Sequence, residues 1–236
     1  MPYEFGSGTR AKPGIFDKDF LFLQALSREL ERAIAALHGD ALAVVDVGST
    51  WKPYRVLFGP RARRFLAVDI GPPTDMDVVG SADRLPLAGG SADVCLCTQV
   101  LEHVEDPAAV IAELSRVVKH DGVVLLSTHG VFHHHPYPHD YWRWTSEGLE
   151  KIMRERFRQV EVRANGGTLL LLCHVVGRGI YHAAEHRPLL RFLRYTVYPL
   201  VNLAGLALNA LIRDRSLSVN YLAIARDPVR GVADAS

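Results

Sequence analysis

Two carboxylates and a glycine stand at the ends of two short apolar runs in the first third of the chain. Asp46 and Gly48 end the run ALAVVDVG, and Asp69 ends the run FLAVDI. A carboxylate at the end of the second strand, as Asp69 is, typically accepts hydrogen bonds from ribose hydroxyls. It usually lies about 20 residues after the turn that follows the first strand. Glycine lets a ligand approach the backbone closely. These residues predict a nucleotide-like binding site.

Polar residues also follow two later apolar runs. Ser81, Ala82 and Asp83 form a short polar turn that can meet the edge of an adenine ring, and Thr98 precedes the segment Gln99–His103, QVLEH. Each signal is weak alone, because an acid at a strand end often only caps a helix and a glycine often only makes a turn. Their ordered recurrence favours the nucleotide-like site.

The loop after the first run discriminates between cofactors. It reads GSTWKPYR from Gly48 to Arg55, so Trp51 and Lys52 occupy positions where a dinucleotide fold needs glycine beside a pyrophosphate. The chain also contains no GxxxxGK[ST] motif for nucleoside triphosphates. Adenosyl recognition without a pyrophosphate fits better. Pro53 is predicted in the first turn of the following helix.

A second group of reactive side chains is the histidine loop, residues 133–141, HHHPYPHDY. One interpretation is a loop that shapes the acceptor pocket, with His135, His139 and Tyr141 as candidate catalytic residues. Another is a structural loop whose polar side chains bond the backbone. A transition-metal site is the third, but adjacent histidines rarely converge on one ion and no cysteine accompanies them, so we expect no metal.

The elements that must position these residues alternate in type. The predicted strands cover residues 41–47, 65–70, 76–79, 92–98, 122–128, 157–162 and 218–225, and the predicted helices cover 16–37 and 107–119 and follow Thr145. Strand, helix and strand in this rhythm predict crossover connections and a parallel sheet with helices on both faces. In such a sheet, ligands bind beyond the carboxyl ends of the strands, where the strand order reverses.

The composition restricts the class of protein. With 236 residues, 48% hydrophobic and 22% charged residues, the chain is typical of one globular domain. A formal net charge of +1 gives no support for nucleic-acid binding. Cys95 and Cys97 lie in an apolar run and are predicted to be reduced thiols in a core, and the N-terminus has no secretory signal, so we expect a cytoplasmic protein.

An apolar segment near the C-terminus is the remaining feature. Tyr195–Ile212 carries no charged residue, but Pro199, Asn202 and Asn209 argue against a membrane span, and the two asparagines predict a polar helix stripe. Three interpretations remain open: a helix in the core or in a homodimer interface, a lid that touches a membrane surface or a lipid-linked acceptor, and a true span.

Residues 44–149 resemble the class I S-adenosylmethionine-dependent methyltransferases, in particular the small-molecule group of methyltransferase domain family 11. The resemblance rests on VVDVGSTWKPYRVLF, on SADRLPLAGGSADVCLCTQVLEHVEDPAAVIAELSRVVKHDGVVLLST and on PHDYWRWTSEGL. The sequence departs from the family at Ser49, Thr50 and Trp51, where many members have glycines.

The resemblance implies a Rossmann-like three-layer α/β/α sandwich, with a mostly parallel seven-stranded sheet and an antiparallel last strand. It implies a single domain over residues 1–236, with a helical cap (1–40), a cofactor-binding core (41–165), an apolar helical insertion (166–216) and a last strand (217–227). The implied cofactor is S-adenosylmethionine. The implied cofactor-binding residues are Asp46, Gly48, Ser49, Asp69, Ile70, Ala82, Asp83, Thr98, Gln99 and His103.

The resulting hypothesis is transfer of a methyl group to an oxygen or nitrogen of a small-molecule or lipid- or sugar-linked acceptor. Peripheral membrane contact and a homodimer through residues 195–212 are further expectations. A non-catalytic cofactor-binding scaffold is the alternative that the atypical loop favours. An enzyme using NAD or a nucleotide sugar is a second alternative, which the missing glycines disfavour. A membrane-anchored interaction protein would depend on residues 195–212 alone.

Overall fold

The computed structural model describes residues 10–71, 76–136, 138–212 and 214–230. Residues 1–9 of the expected helical cap and Tyr137 of the histidine loop lie outside the described residues. The strands are β1 (Leu42–Val47), β2 (Ala62–Asp69), β3 (Val78–Val79), β4 (Ala92–Thr98), β5 (Val118–His129), β6 (Phe157–Asn165) and β7 (Asn220–Pro228). The α-helices are α1 (Phe20–Ala35), α2 (Arg55–Phe58), α3 (Pro107–Val117), α4 (Ser146–Arg154), α5 (Thr168–His186) and α6 (Val197–Leu211), and 3-10 helices cover Gly59–Arg61 and Pro188–Arg194.

The strands form one seven-stranded sheet in the order β3-β2-β1-β4-β5-β7-β6. Strand β7 runs antiparallel to β5 and β6, and the other neighbouring pairs are parallel. The predicted Rossmann-like sheet with an antiparallel last strand is therefore confirmed. The chain order reverses between β1 and β4, which places the binding crevice beyond the carboxyl ends of these two strands.

Apolar side chains cover both faces of the sheet. One core cluster joins α1, α2 and α5 to one face, and the other joins α3 and α4 to the opposite face. The central strands are buried almost throughout, which explains why their sequences are continuous apolar runs rather than alternating ones. Cys95 and Cys97 are buried free thiols of β4, as predicted.

Side-chain caps fix the helix starts around the crevice. Asp106 accepts hydrogen bonds from the backbone of the first turn of α3, and Pro107 occupies the first helical position. Thr145 caps α4 by accepting from the Gly148 N–H, as predicted. The prediction for Pro53 was wrong: it lies in a turn before α2, which begins at Arg55.

Several boundaries differ from those predicted. Strand β3 is limited to Val78–Val79 rather than residues 76–79, and β7 begins at Asn220 rather than at 217 or 218. Strand β5 already begins at Val118, because the chain passes from α3 into the sheet without an intervening loop. In the described part of the chain, no helix combines the length and the apolar character needed to cross a membrane.

Candidate active site in the crevice between β1 and β4

Asp46 is a buried acid on the central strand, next to Ala67 of β2 and Leu96 of β4. Its side chain is fully shielded from water, and neither carboxylate oxygen has a hydrogen bond of good geometry. Burial raises the pKa of Asp46 to about 7, against smaller opposing effects of Ser49 and Arg10. A buried carboxylate without a donor is unfavourable, so this residue is suited to a ligand that brings hydrogen-bond donors or positive charge.

Gly48 makes the close turn that the sequence predicted. Its φ is +71°, and a Cβ atom there would lie 2.2 Å from Cγ2 of Val100 in the segment after β4. Its backbone N–H donates to the Val68 carbonyl at 2.7 Å, and the N–H of Ser49 points to the same oxygen at 3.3 Å. The loop is thus folded back onto β2, beside Asp46.

Asp69 lies at the carboxyl end of β2, facing this loop. Its Oδ2 accepts a hydrogen bond from the hydroxyl of Thr50 at 2.8 Å, and its Oδ1 accepts one from the backbone N–H of Ile70 at 2.7 Å. The Ile70 side chain is 63% exposed at the rim. Thr50 therefore orients the predicted ribose acid.

The remaining predicted cofactor residues line the same edge of the sheet. Ala82 is buried and Asp83 is exposed, in a turn closed by a bridge between Ser81 and Arg84. Thr98 ends β4, half-buried, next to the strand that carries Asp46. The structure therefore places this turn and the β4 end on the crevice edge, as the parallel topology requires.

Gln99 turns the chain sharply at the end of β4. Its φ is +58°, a left-handed conformation that is uncommon for residues other than glycine. Its backbone N–H donates to the Ser127 carbonyl at 2.9 Å, and its side-chain amide donates to the Ser127 hydroxyl at 3.0 Å. Backbone strain of this kind concentrates at functional sites, and here it directs the segment that contains Glu102 and His103 into the crevice.

Glu102 is a functional candidate that the sequence analysis missed. Its side chain is fully buried, Oε2 accepts a hydrogen bond from the Thr128 hydroxyl at 2.9 Å, and Oε1 lies 3.3 Å from Nε2 of His129. Burial raises the pKa of Glu102 to about 7. The segment QVLEH contains both Glu102 and His103, but the sequence alone gave no reason to prefer the glutamate over the histidine as a functional residue.

His103 and His135 face Glu102 from two different loops. Their ring centroids are 4.8 Å apart, and His103 Nδ1 lies 2.5 Å from the carbonyl oxygen of His139. Desolvation lowers the pKa of His135 to about 4 and lowers that of His103 as well, so both rings are neutral near pH 7. Neutral imidazoles beside a carboxyl group with a pKa near 7 can accept or relay a proton.

The other two candidate catalytic residues do not join this cluster. His139 and Tyr141 are exposed and stack on each other, with ring centroids 5.2 Å apart. The hydroxyl of Tyr141 is directed towards Glu105, at 3.4 Å from Oε1. Of the three predicted residues, the structure brings only His135 into the cluster with Glu102 and His103.

An ion pair between Asp140 and Arg143 ties the histidine loop to the segment that follows it. Arg143 contacts both carboxylate oxygens of Asp140, at 2.5 and 2.7 Å, and donates to the carbonyls of Phe132 and His133 at 3.3 and 2.9 Å. The Arg143 side chain holds the pKa of Asp140 well below its usual value. These contacts agree with the structural interpretation for Asp140 and Arg143, and the pocket-shaping interpretation stays a prediction.

Comparisons with known proteins point to one family. Residues 45–126 match the methyltransferase domain family, a stretch that runs from β1 through β4 and α3 into β5. The predicted recognition is thereby confirmed, and the matched stretch contains Asp46, Gly48, Asp69 and Glu102.

A curated relative is the ubiquinone biosynthesis O-methyltransferase of Thiobacillus denitrificans, which is 37% identical over 68 residues, 29% of this chain and 29% of that protein. The chain spans less than half of the length of the curated relatives it matches.

Solved structures share the fold at low sequence identity. The [4+2]-cyclase SpnF aligns with a TM-score of 0.56 and 16% identity over 88% of this chain and 84% of its own. Phosphoethanolamine N-methyltransferase 2 of Haemonchus contortus, solved with S-adenosyl-L-methionine, aligns with a TM-score of 0.53 and 16% identity over 90% of this chain and 56% of its own. These likenesses support the methyltransferase fold.

The crevice also contains a group of side chains that could hold a metal ion. Ligand atoms of Glu102, His103 and His135 lie within 4.8 Å of one another. However, the positive charges of Arg10 and Arg143 act on Glu102 and His135 as well. These two guanidinium groups oppose a cation, whereas the carboxylate of Asp140 favours one, and the absence of a resident metal stays our prediction.

Proposed function

We propose that this protein binds S-adenosylmethionine in the crevice between β1 and β4 and transfers its methyl group to an acceptor beside the histidine loop. The observation that carries the proposal is Asp46, whose two buried oxygens have no hydrogen bond of good geometry at the point where the strand order reverses. The match of residues 45–126 to methyltransferase domains supports the same cofactor. When bound, this cofactor supplies an electrophilic methyl group on a sulfonium centre.

The chain's own residues then have separable roles. Asp46 provides negative charge for the cationic cofactor, and Gly48 lets the cofactor approach the backbone. Asp69, oriented by Thr50, accepts hydrogen bonds from ribose hydroxyls. The exposed side chain of Ile70 is positioned to cover the adenine ring. The protein thus contributes mainly binding, orientation and exclusion of water.

The acceptor lies, in this proposal, against Glu102, His103 and His135. A hydroxyl or amine acceptor must lose a proton, and the neutral His135 ring can pass it towards Glu102, whose pKa near 7 suits a general base at neutral pH. An oxygen or nitrogen of a small-molecule or lipid- or sugar-linked compound fits this chemistry. A curated relative named as an O-methyltransferase supports oxygen.

A non-catalytic or differently catalytic cofactor-binding protein is the second candidate. The departure from the family's glycines at Ser49–Trp51 favours it, and the structural likeness to a [4+2]-cyclase illustrates that this fold supports other reactions. Cofactor binding without methyl transfer to any tested acceptor would favour this candidate.

Isothermal titration calorimetry with S-adenosylmethionine and S-adenosylhomocysteine tests the proposal. We expect one-to-one binding of both, weakened at least tenfold by Asp69→Ala, because both ligands carry the ribose. Asp121→Ala, at an exposed position of β5, is the matched control and should bind as the unchanged protein does. Absence of binding by a folded protein, or tight binding of NADH instead, would overturn the proposed cofactor.

A further inference from the structure

Helix α6 turns its polar and small residues towards the protein. The side-chain amide of Asn202 donates to the Ile15 carbonyl at 2.7 Å, and Oδ1 of Asn209 accepts from the Gly167 N–H at 2.8 Å. A Cβ on Gly205 would lie 2.8 Å from a leucine side chain of α1. The predicted polar stripe therefore exists but faces inwards, whereas a surface helix normally turns its polar face to water.

The opposite side of this region is apolar and exposed, so the expectation of a core helix is wrong for that face. The exposed fractions are large for Leu189 (90%), Phe192 (59%), Tyr195 (70%), Leu200 (64%), Leu203 (54%) and Leu211 (79%). On the neighbouring helix α5, Leu172, Val175 and Val176 are exposed as well. We call this area the insertion surface. Contiguous apolar areas of this kind mark binding sites for proteins or membranes.

Cationic side chains accompany the insertion surface. Residues 187–212 contain Arg187, Arg191 and Arg194 and no acidic residue. Arg187 and Arg191 are exposed, and the guanidinium carbon of Arg194 lies 4.4 Å from the ring centroid of Tyr181, whose hydroxyl accepts its hydrogen bond at 3.2 Å. Arginines beside exposed leucine and aromatic side chains complement the anionic head groups and the acyl chains of a membrane surface.

The charge pattern favours a lipid surface over a second copy of the chain. Two insertion surfaces packed face to face would bring arginines of like charge together without acidic partners from residues 187–212. A span is disfavoured as well, because the 15 residues of α6 extend over about 22 Å, short of the roughly 30 Å of a hydrocarbon core. We propose that the insertion surface binds peripherally to membranes that contain anionic lipids.

The insertion surface lies close to the histidine loop. On the inner side of α5, the ring of His174 stacks on Phe132, with centroids 5.7 Å apart, and Phe132 stacks on His129 at 3.7 Å. His174, Phe132 and His129 thus link the inner side of α5 to Glu102, and a bilayer-borne acceptor would approach the histidine loop from the side of this helix. The inference that the acceptor is lipid-linked depends on the proposed function, whereas membrane binding itself does not.

Vesicle flotation of the full chain tests membrane binding. The vesicles are phosphatidylcholine alone or phosphatidylcholine with about one third phosphatidylglycerol. We expect the protein to rise with the anionic vesicles and to do so much less in 0.5 M salt. Leu200→Ser with Leu203→Ser should reduce the bound fraction at least tenfold, and Arg187→Gln with Arg191→Gln should remove the preference for anionic lipid.

Matched controls use exposed residues outside the insertion surface. Val56→Ser removes an apolar side chain that is 53% exposed, and Arg63→Gln with Arg64→Gln removes two exposed charges of β2. These variants should float as the unchanged protein does. Equal losses in controls and test variants, or no flotation of the folded protein, would overturn the proposal. A dimer detected by light scattering would also overturn it, if the double variant Leu200→Ser with Leu203→Ser dissociated that dimer. Binding of S-adenosylmethionine is measured separately and reports on the proposed function.

Discussion

The carboxylate oxygen Oε1 of Glu102 and the ring nitrogen Nε2 of His129 lie 3.3 Å apart, and both side chains are shielded from water. Desolvation raises the pKa of Glu102 to about 7 and lowers that of His129 well below its usual value. Because each group is driven towards its neutral form, this contact is not a fixed ion pair. The segment after β4 therefore carries a carboxyl group whose pKa of about 7 lets it change charge near neutral pH.

Glu102→Gln should stabilise the protein at alkaline pH. A carboxyl group whose folded pKa is raised from 4.5 to about 7 contributes stability that is fully present below pH 4.5 and is lost as the pH rises through 7. Glutamine resembles the protonated form, so we expect a gain of about 1–3 kcal/mol in the free energy of unfolding at pH 8 and little change at pH 5. Urea unfolding at both pH values measures this.

A loss of stability at pH 8 would contradict that prediction. It would show that the ionised form of Glu102 is the stable one, held by Arg10, Arg143 or a bound cation. Glu105→Gln, at an exposed position near the same loop, is the control and should change stability at neither pH.

His174→Gln should reduce the sensitivity of the protein to acid. His174 is buried beside Phe22 and Phe132, and desolvation lowers its pKa from 6.5 to about 4. The stability that depends on the neutral ring is present above pH 6.5 and is lost as the pH falls towards 4. Thermal unfolding from pH 7 to pH 4.5 should therefore show a smaller decrease in Tm for the variant. His38→Gln, an exposed histidine, should behave as the unchanged protein does.

Cofactor binding should release a proton from Asp46 near neutral pH. Burial raises the pKa of Asp46 to about 7, and a cationic ligand favours its ionised form, so affinity should fall as the pH drops from 8 to 6, by up to about tenfold per unit below pH 7. Calorimetry in two buffers with different ionisation enthalpies counts the released protons. Asp46→Asn should bind more weakly at pH 8 and lose this pH dependence. A pH dependence retained in Asp46→Asn would assign the proton to another group.

Gly48→Ala should abolish cofactor binding and destabilise the fold. The new Cβ would combine a φ of +71° with a 2.2 Å approach to Val100, a cost of about 2–4 kcal/mol. Gly59→Ala separates the two causes, because Gly59 has a φ of +54° but nothing within 4 Å of its Cβ position. We expect about 1–3 kcal/mol there, because a φ of 54° with a ψ of −138° is unfavourable for alanine, and normal binding. Equal effects of both variants would mean that backbone strain, not the contact with Val100, makes glycine necessary at position 48.

The sheet was predictable from the sequence because its determinants are local. Continuous apolar runs predicted the central strands, and β4 covers residues 92–98 as predicted. Acidic residues at the ends of these runs predicted the position of the crevice. Thr145 and Pro107 marked helix starts, because capping and the fixed φ of proline act within the first turn of a helix. These features need only neighbouring residues, so a single sequence contains them.

The missed features depend on contacts distant in sequence. Glu102 became a candidate only through His129 and Thr128 on the adjacent strand, and Thr50 only through its bond to Asp69. The stripe of asparagines in α6 was predicted, but its direction was not, since Asn202 bonds to a carbonyl of the segment before α1. Periodicity shows that a helix has two faces and does not show which one meets water.

The last prediction concerns the Asp140–Arg143 pair. Arg143→Lys keeps the charge but cannot maintain the two contacts to Asp140 together with the bonds to the carbonyls of Phe132 and His133. We therefore expect Arg143→Lys and Arg143→Ala to raise hydrogen exchange in residues 130–145 by a similar factor, about tenfold or more, with α3 unchanged. Mass spectrometry of the deuterated peptides measures this.

The pH response makes this test specific. The pKa of Asp140 is held well below its usual value, so its ionised form stabilises the loop at every pH above the ordinary pKa of an aspartate. This stabilisation is lost only in strong acid. Loop protection in the unchanged protein should thus persist at pH 5. Arg158→Lys, an exposed arginine 3.4 Å from Asp227, is the control. If lysine at position 143 preserved protection, the backbone bonds from Tyr141 to Glu102 and from Trp144 to His129 would suffice to hold the loop.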